Sequence, residues 1–157
     1  MPGQRPSPED VADRLAIDDL LDAYASALDT KDWDELRMLF TPDAVVDYTE
    51  EGGIRGTVEE AIAWFKQALA PFTASQHFVT NRRVQIDGDT ASVHAYIFSP
   101  LGVPSGEGAL TLVMAGGFYS DELRRTPDGW RFAARTIHAS WFHAGLQGFS
   151  APPNTAG

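Results

Sequence analysis

The chain contains no cysteine among its 157 residues. Disulfides, thiolate nucleophiles and cysteine-ligated zinc or iron–sulfur sites are therefore excluded, and the reducing cytoplasm is the simplest address. Basic residues are also scarce, with 12 Lys and Arg against 22 Asp and Glu, a formal charge of -10 and a pI near 4.6. Affinity for a phosphate backbone rests on clustered Lys and Arg that displace counterions, so nucleic acid is set aside as a partner. No run approaches the ~18 consecutive apolar residues of a membrane span. The stretch Met1 to Asp10 is polar and Pro-rich and lacks the apolar centre of a signal peptide, so a soluble, cytoplasmic protein without a membrane partner is expected. Also missing are a Ser nucleophile elbow, a Gly-rich phosphate loop, a paired-acid glycosidase signature and a His or carboxylate cluster at metal-ligand spacing. Neither metal nor cofactor is expected.

What is present suits one globular domain over 1–157, with a core from about 8 to 142 and loose ends. Ser7-Pro8-Glu9-Asp10 combines a Ser cap, Pro in the first turn and early acid, and Val11, Leu15, Leu20, Leu21, Tyr24 and Leu28 recur at helical spacing. This predicts a helix from about Pro8 to Leu28. A second helix is expected over Asp32 to Phe40, ended by Pro42, and a first strand over Ala44 to Thr49. Thr57-Val58-Glu59-Glu60 has capping-box spacing and opens a third helix that ends before Pro71. The period then changes, and His77 to Ile86, Ala91 to Phe98, Ala109 to Leu123 and Trp130 to Phe142 read as strands, with Gly102 to Gly108 as a longer loop. The class is α+β, three helices on one face of a curved, mostly antiparallel sheet, with a pocket between the layers.

Acid–base chemistry without cysteine falls to the four histidines and to any buried carboxylate. Asp29 comes as the apolar face of the first helix ends, beside Leu28 and Tyr24, and reads equally as a helix-end cap or as an inward carboxylate. Alternation puts His77, Val79 and Asn81 on one strand face, a position open to a hydrogen-bonded structural histidine as well as to a base. Tyr48 shares a face with Ala44 and Val46. Arg135 shares one with Arg131, Ala133 and Ile137, which by pattern alone is an exposed sheet charge. Gly116-Gly117 within a strand permits sharp curvature.

Together, Ala16-Ile17-Asp18-Asp19-Leu20-Leu21 running to Tyr24 and Asp29, Phe40-Thr41-Pro42-Asp43-Ala44, Gln76-His77-Phe78-Val79-Thr80-Asn81, and Tyr119 to Arg135 resemble the SnoaL-like branch of the nuclear transport factor 2-like superfamily. This cone-shaped α+β fold hosts scytalone dehydratase, bile acid 7α-dehydratase, hexachlorocyclohexane dehydrochlorinase and ketosteroid isomerase. The resemblance covers roughly Ala16 to Phe142 and implies an Asp at the end of the first helix that orients a strand His, here Asp29 and His77. The bile acid dehydratase pattern adds Tyr24, Tyr48 and Arg135. The dehydrochlorinase has Lys where this chain has Tyr24, and the second His and the Asn of scytalone dehydratase have no match.

These matches imply a cofactor-independent lyase of dehydratase type acting on a hydrophobic, polycyclic or aromatic-like small molecule. Neutral His77, oriented by Asp29, would remove a proton from an activated carbon, Tyr24 and Tyr48 would donate to the oxygen that gains charge, and Arg135 would add positive potential. Pocket walls are expected from Trp33, Phe40, Trp64, Phe65, Phe78 and Trp141, with Asn81 beside His77. The alternatives are a polyketide cyclase or isomerase using the same pocket and a non-catalytic ligand-binding or dimerisation domain. The resemblance also implies a homo-oligomer, a trimer before a dimer.

Overall fold

In the computed structural model, which describes residues 6–150, Ser7 opens helix α1 (Pro8–Thr30) through a capping box: its hydroxyl accepts from the Asp10 N–H at 3.0 Å while the Asp10 carboxylate accepts from the Ser7 N–H at 2.9 Å. One face of α1, with Ile17, Leu21, Tyr24 and Leu28, is buried, and the helix ends at Lys31 in the left-handed region with φ 57°. Asp32 caps the short helix α2 (Trp33–Met38), and a second capping box, Thr57 with Glu60, opens α3 (Val58–Ala68). Among the described residues no helix is long and apolar enough to cross a membrane.

The strands are β1 (Phe40–Asp47), β2 (Arg55–Gly56), β3 (Ala74–Ser75), β4 (Phe78–Asp87), β5 (Thr90–Gly106), β6 (Ala109–Thr126) and β7 (Gly129–Ser150). They form one seven-stranded sheet in the order β2-β1-β7-β6-β5-β3, with β4 also paired to β5. Every pairing is antiparallel except β1 with β7, so the sheet is mixed, mostly antiparallel and open, with the three helices packed on it. Tyr24 lies edge-on to Phe40, Tyr119 and Phe132 with ring centroids 5.7–6.0 Å apart, and this aromatic group ties α1 to β1, β6 and β7.

Several boundaries differ from the sequence expectation: the last strand, expected to end at Phe142, runs to Ser150, and the first ends at Asp47 instead of Thr49. The second helix stops at Met38 and the strand begins at Phe40, because the Phe132 N–H donates to the Leu39 carbonyl at 2.9 Å and Phe40 pairs with Phe132. A register shift between Phe40 and Val45 carries Pro42 through the strand without requiring its missing N–H. Nor is Gly102 to Gly108 a loop: β5 continues to Gly106, its Gly102 flanked by Ala74 and Leu112, and only Glu107-Gly108 turns the hairpin. Gly and Pro there read as turn residues, yet the neighbouring strands recruit them.

Three bulges set which side chains face the helices. Between β4 and β5 the register shifts from Thr80–Tyr96 to Arg83–His94, and Asn81 takes a left-handed φ of 51°. Val79 and Val84 consequently both point inward, and Asn81 is exposed. Between β6 and β7 the pairs Gly116–Trp141 and Gly117–Ala139 skip Ser140, at a place where a Cβ on either glycine would strike Trp141 or the His138 backbone. Further along, Leu123–Phe132 and Glu122–Ala134 skip Ala133.

Candidate active site

Asp29 lies in the last turn of α1, where the negative end of the helix dipole disfavours a carboxylate. Donors from the β3–β4 segment compensate. Asp29 Oδ1 accepts from the Ser75 hydroxyl at 2.8 Å, its Oδ2 accepts from the His77 backbone N–H at 3.0 Å, and His77 Nδ1 is 2.6 Å from Oδ1. Partial burial works against the charge, but the His77 ring, the His77 N–H and Ser75 outweigh it and hold the Asp29 carboxyl below its ordinary value. An ionised carboxylate only accepts, so Nδ1 carries a ring proton, and in the neutral imidazole the lone pair is on Nε2. Asp29 is thus an inward carboxylate rather than a cap, and His77 sits in the two-residue gap before β4.

His77 lines a narrow cavity of about 70 Å³ between α3 and the sheet, walled by Trp64, Phe65 and Leu69 on one side and by Ser99, Tyr119 and Ile137 on the other. That is room for a few waters and well below the ~300 Å³ or more of a common ligand pocket. Tyr48 follows β1, continues the buried alternation of Ala44 and Val46, and reaches the same cavity. Its hydroxyl lies 2.6 Å from the Tyr24 hydroxyl and donates to the Tyr119 hydroxyl at 3.3 Å. In this order Tyr24 donates to Tyr48 and Tyr48 to Tyr119, which leaves the Tyr119 O–H free to donate into the cavity. Burial pushes all three phenols above their ordinary value, so they act as neutral donors.

Arg135 is buried completely. The skipped residue Ala133 reverses the alternation, so Arg135 shares a face with Phe132 instead of with Arg131, and the exposed reading of the pattern is corrected. Its guanidinium makes a two-pronged ion pair with Asp121, Nε to Oδ1 at 2.8 Å and Nη2 to Oδ2 at 2.6 Å. Its charge lies 3.9 Å from the Tyr24 ring centroid and 4.1 Å from those of Tyr119 and Phe132. Burial alone would lower its pKa, but the Asp121 charge raises it, and the side chain stays a cation. Burial likewise pushes the Asp121 carboxyl up, against the pull of Arg135.

The pocket expectations divide. Trp64 and Phe65 line the cavity. Phe40 is core, edge-on to Tyr24, and Trp33 packs at the edge of the core on α2. Phe78 and Trp141 are 46% and 48% exposed, grouped around Phe98 on the outer sheet face, and Asn81 is turned out by its bulge, so none of these three lines the cavity. Sequence reasoning missed Ser75, Tyr119, Asp121 and Glu51. Asp121 carried a signal in the sequence, since Tyr119, Asp121 and Leu123 alternate and set an acid on an apolar strand face. Among the described residues no three His, Cys, Asp or Glu side chains gather into a metal-binding group.

Residues 9–136 match the family description of the SnoaL-like domain. The chain belongs to the SnoaL-like family. An uncharacterized protein of Mycobacterium tuberculosis is 41% identical to this SnoaL-like chain over 126 residues, covering 80% of the chain and 84% of that protein. Among solved structures, a provisionally named aromatic ring hydroxylase from Novosphingobium aromaticivorans is 33% identical, with a TM-score of 0.77 over 91% of this chain and 97% of that one. A hexachlorocyclohexane dehydrochlorinase from Novosphingobium barchaimii shares the fold at 20% identity, with a TM-score of 0.75 over 91% and 96% of the two chains.

Proposed function

We propose that this SnoaL-like chain is a cofactor-independent lyase that removes a proton from an activated carbon and expels a β-substituent from a small hydrophobic molecule. The Asp29–His77 pair on the cavity wall carries the reading, because it offers an imidazole with a free Nε2, a fixed tautomer and a carboxylate that stabilises the imidazolium once formed. Tyr119 supplies a hydroxyl for the oxygen that gains charge, with Tyr48 donating to it and Arg135 behind its ring as a fixed cation. Arg135 therefore acts through the tyrosines. The aromatic walls favour a flat substrate, and a cavity of about 70 Å³ must widen to admit even one ring.

The test is α-deuteration of 1-indanone in D2O, which needs a base and no leaving group. Wild-type protein is expected to exchange the α-protons above buffer and His77→Gln to lose that excess; equal rates would remove His77 from the mechanism. Product mass on true substrates then separates dehydration, which loses one water, from isomerisation or cyclisation, which lose none. A homo-oligomer is supported by the outer face, where Tyr96, Phe98 and Trp141 are 51%, 40% and 48% exposed. Sedimentation across a dilution series tests it, and a single monomeric species throughout would refute it.

A further inference from the structure

The turn after β1 presents two successive carboxylates to opposite sides. Glu50 is fastened to β7, its Oε2 accepting from the Ala139 N–H at 3.0 Å and its Oε1 lying 3.1 Å from His138 Nδ1. The next residue, Glu51, is open to solvent on one side and on the other lines the cavity that holds His77, Tyr48 and Tyr119, and among the described residues it has no hydrogen bond and no ion pair. The 3-10 turn Thr49–Glu51 enforces this split. The Tyr48 carbonyl accepts from both the Glu51 and Gly53 N–H groups, and Gly52 closes the turn at φ 76°, a conformation that L side chains rarely adopt. An unpartnered carboxyl beside a general base in an aromatic-walled cavity is an arrangement with a chemical use.

Resting on the elimination reading above, we propose that Glu51 is a second catalytic residue, the general acid that protonates the departing oxygen while His77 removes the carbon-bound proton. His77 Nε2 takes the α-proton, the C–H electron pair becomes the new C=C bond, the C–O bond breaks, and its oxygen takes the Glu51 proton and leaves as water. Glu51 is then a carboxylate and His77 an imidazolium, and one proton returned from His77 to Glu51 through solvent restores both. The substrate class is narrowed to β-hydroxy carbonyl compounds, whose leaving group requires that proton. Electrostatics favour the assignment. Partial desolvation beside the cavity pushes the Glu51 carboxyl up against the pull of His77, while the Asp29 carboxyl is held down by its donors, so the two carboxyls that feel this imidazole are shifted in opposite directions. The groups facing Glu51 are His77 with Asp29 behind it, Tyr48 on its own segment and Tyr119 from β6; α3 and β7 contribute Trp64, Phe65 and Ile137, which carry no charge.

Two probes separate this proposal from the reading beneath it. 3-Hydroxy-1-indanone loses water and needs both groups, whereas 3-acetoxy-1-indanone loses acetate and needs only the base. Glu51→Gln is expected to lower the hydroxy-to-acetoxy rate ratio about 100-fold, the usual weight of a general acid, and Glu51→Asp to restore part of it. A ratio changed by less than about threefold overturns the Glu51 assignment and leaves the base untouched. Acetate loss that is indifferent to His77→Gln instead overturns the elimination reading. A measurement without turnover decides independently: in protein carrying [5-13C]glutamate, the carboxyl resonance that vanishes in Glu51→Gln should titrate above the ordinary 4.5, and a midpoint at or below that value overturns the proposal.

Discussion

Asp29 and Asp121 each hold a nitrogen side chain at 2.6 Å on the helix-covered side of the sheet, yet their surroundings differ throughout. The Asp29 carboxylate is 25% exposed and its partner His77 keeps one nitrogen free beside a cavity. Asp121 and Arg135 are both fully buried at the side chain, and the cation is closed in by the faces of Tyr24, Tyr119 and Phe132. A pair that must exchange protons needs an open edge and a partner that titrates in the working range. A pair that fixes charge needs the reverse, and arginine supplies it because it does not deprotonate. Tyr119 adjoins both, its ring against Arg135 and its side chain on the wall of the His77 cavity.

The largest effect should come from the sealed pair. Asp121→Ala leaves a buried guanidinium uncompensated and is expected to cost about 3–5 kcal/mol in denaturant unfolding, whereas Asp121→Leu combined with Arg135→Met should recover most of that stability. A stable Asp121→Ala protein would break the comparison. Next, His77→Gln should reduce turnover about 100-fold while moving unfolding free energy by no more than about 1.5 kcal/mol, the range of one hydrogen bond. Loss of stability with retained turnover would invert the two roles. Tyr48→Phe, which cuts the link between Tyr24 and Tyr119, should slow turnover roughly tenfold, the equivalent of one neutral hydrogen bond; an unchanged rate would separate Arg135 from the chemistry.

The smallest effect concerns acid. Asp13 on α1 is held at about 2 by Arg125 and by the Trp130 indole N–H, below its unfolded 3.8. Its stabilising contribution is therefore complete above 3.8 and lost as pH falls through about 2, and Asp29 acts in the same direction. Urea midpoints between pH 5 and pH 2 should fall less steeply in Asp13→Asn than in wild type. Parallel curves would show that this surface pair contributes nothing.

The helices were legible because each carries its own start signal, Ser7 to Asp10 for α1 and Thr57 to Glu60 for α3, within four residues. The Asp29–His77 pairing was implied by resemblance alone, since the two lie 48 residues apart and no local pattern joins them. Alternation failed at Asn81 and Arg135 for one reason. Each lies at or just beyond a bulge, and a single extra residue reverses the face of everything after it. Bulges leave no fixed residue signature, so Arg131 and Arg135 look equivalent along the chain and are opposite in the sheet. Glu51 was hidden among many surface acids, because only the turn at Gly52 distinguishes it from Glu50.

The parallel pairing of β1 with β7 also orders events in time. During synthesis the chain emerges from its N-terminus, so α1, α2, β1 and α3 are complete while Phe132 and the strand that receives Phe40 are still unmade. Until β7 arrives, β4, β5 and β6 can pair with one another, but β1 has no partner in the sheet except the two-residue strand β2. Closing that long-separated contact is the slow, entropy-limited part of folding for such a topology. Truncated chains ending before Trp130 should therefore fail to fold, and the nascent protein is most exposed to aggregation during the last stage of its own translation.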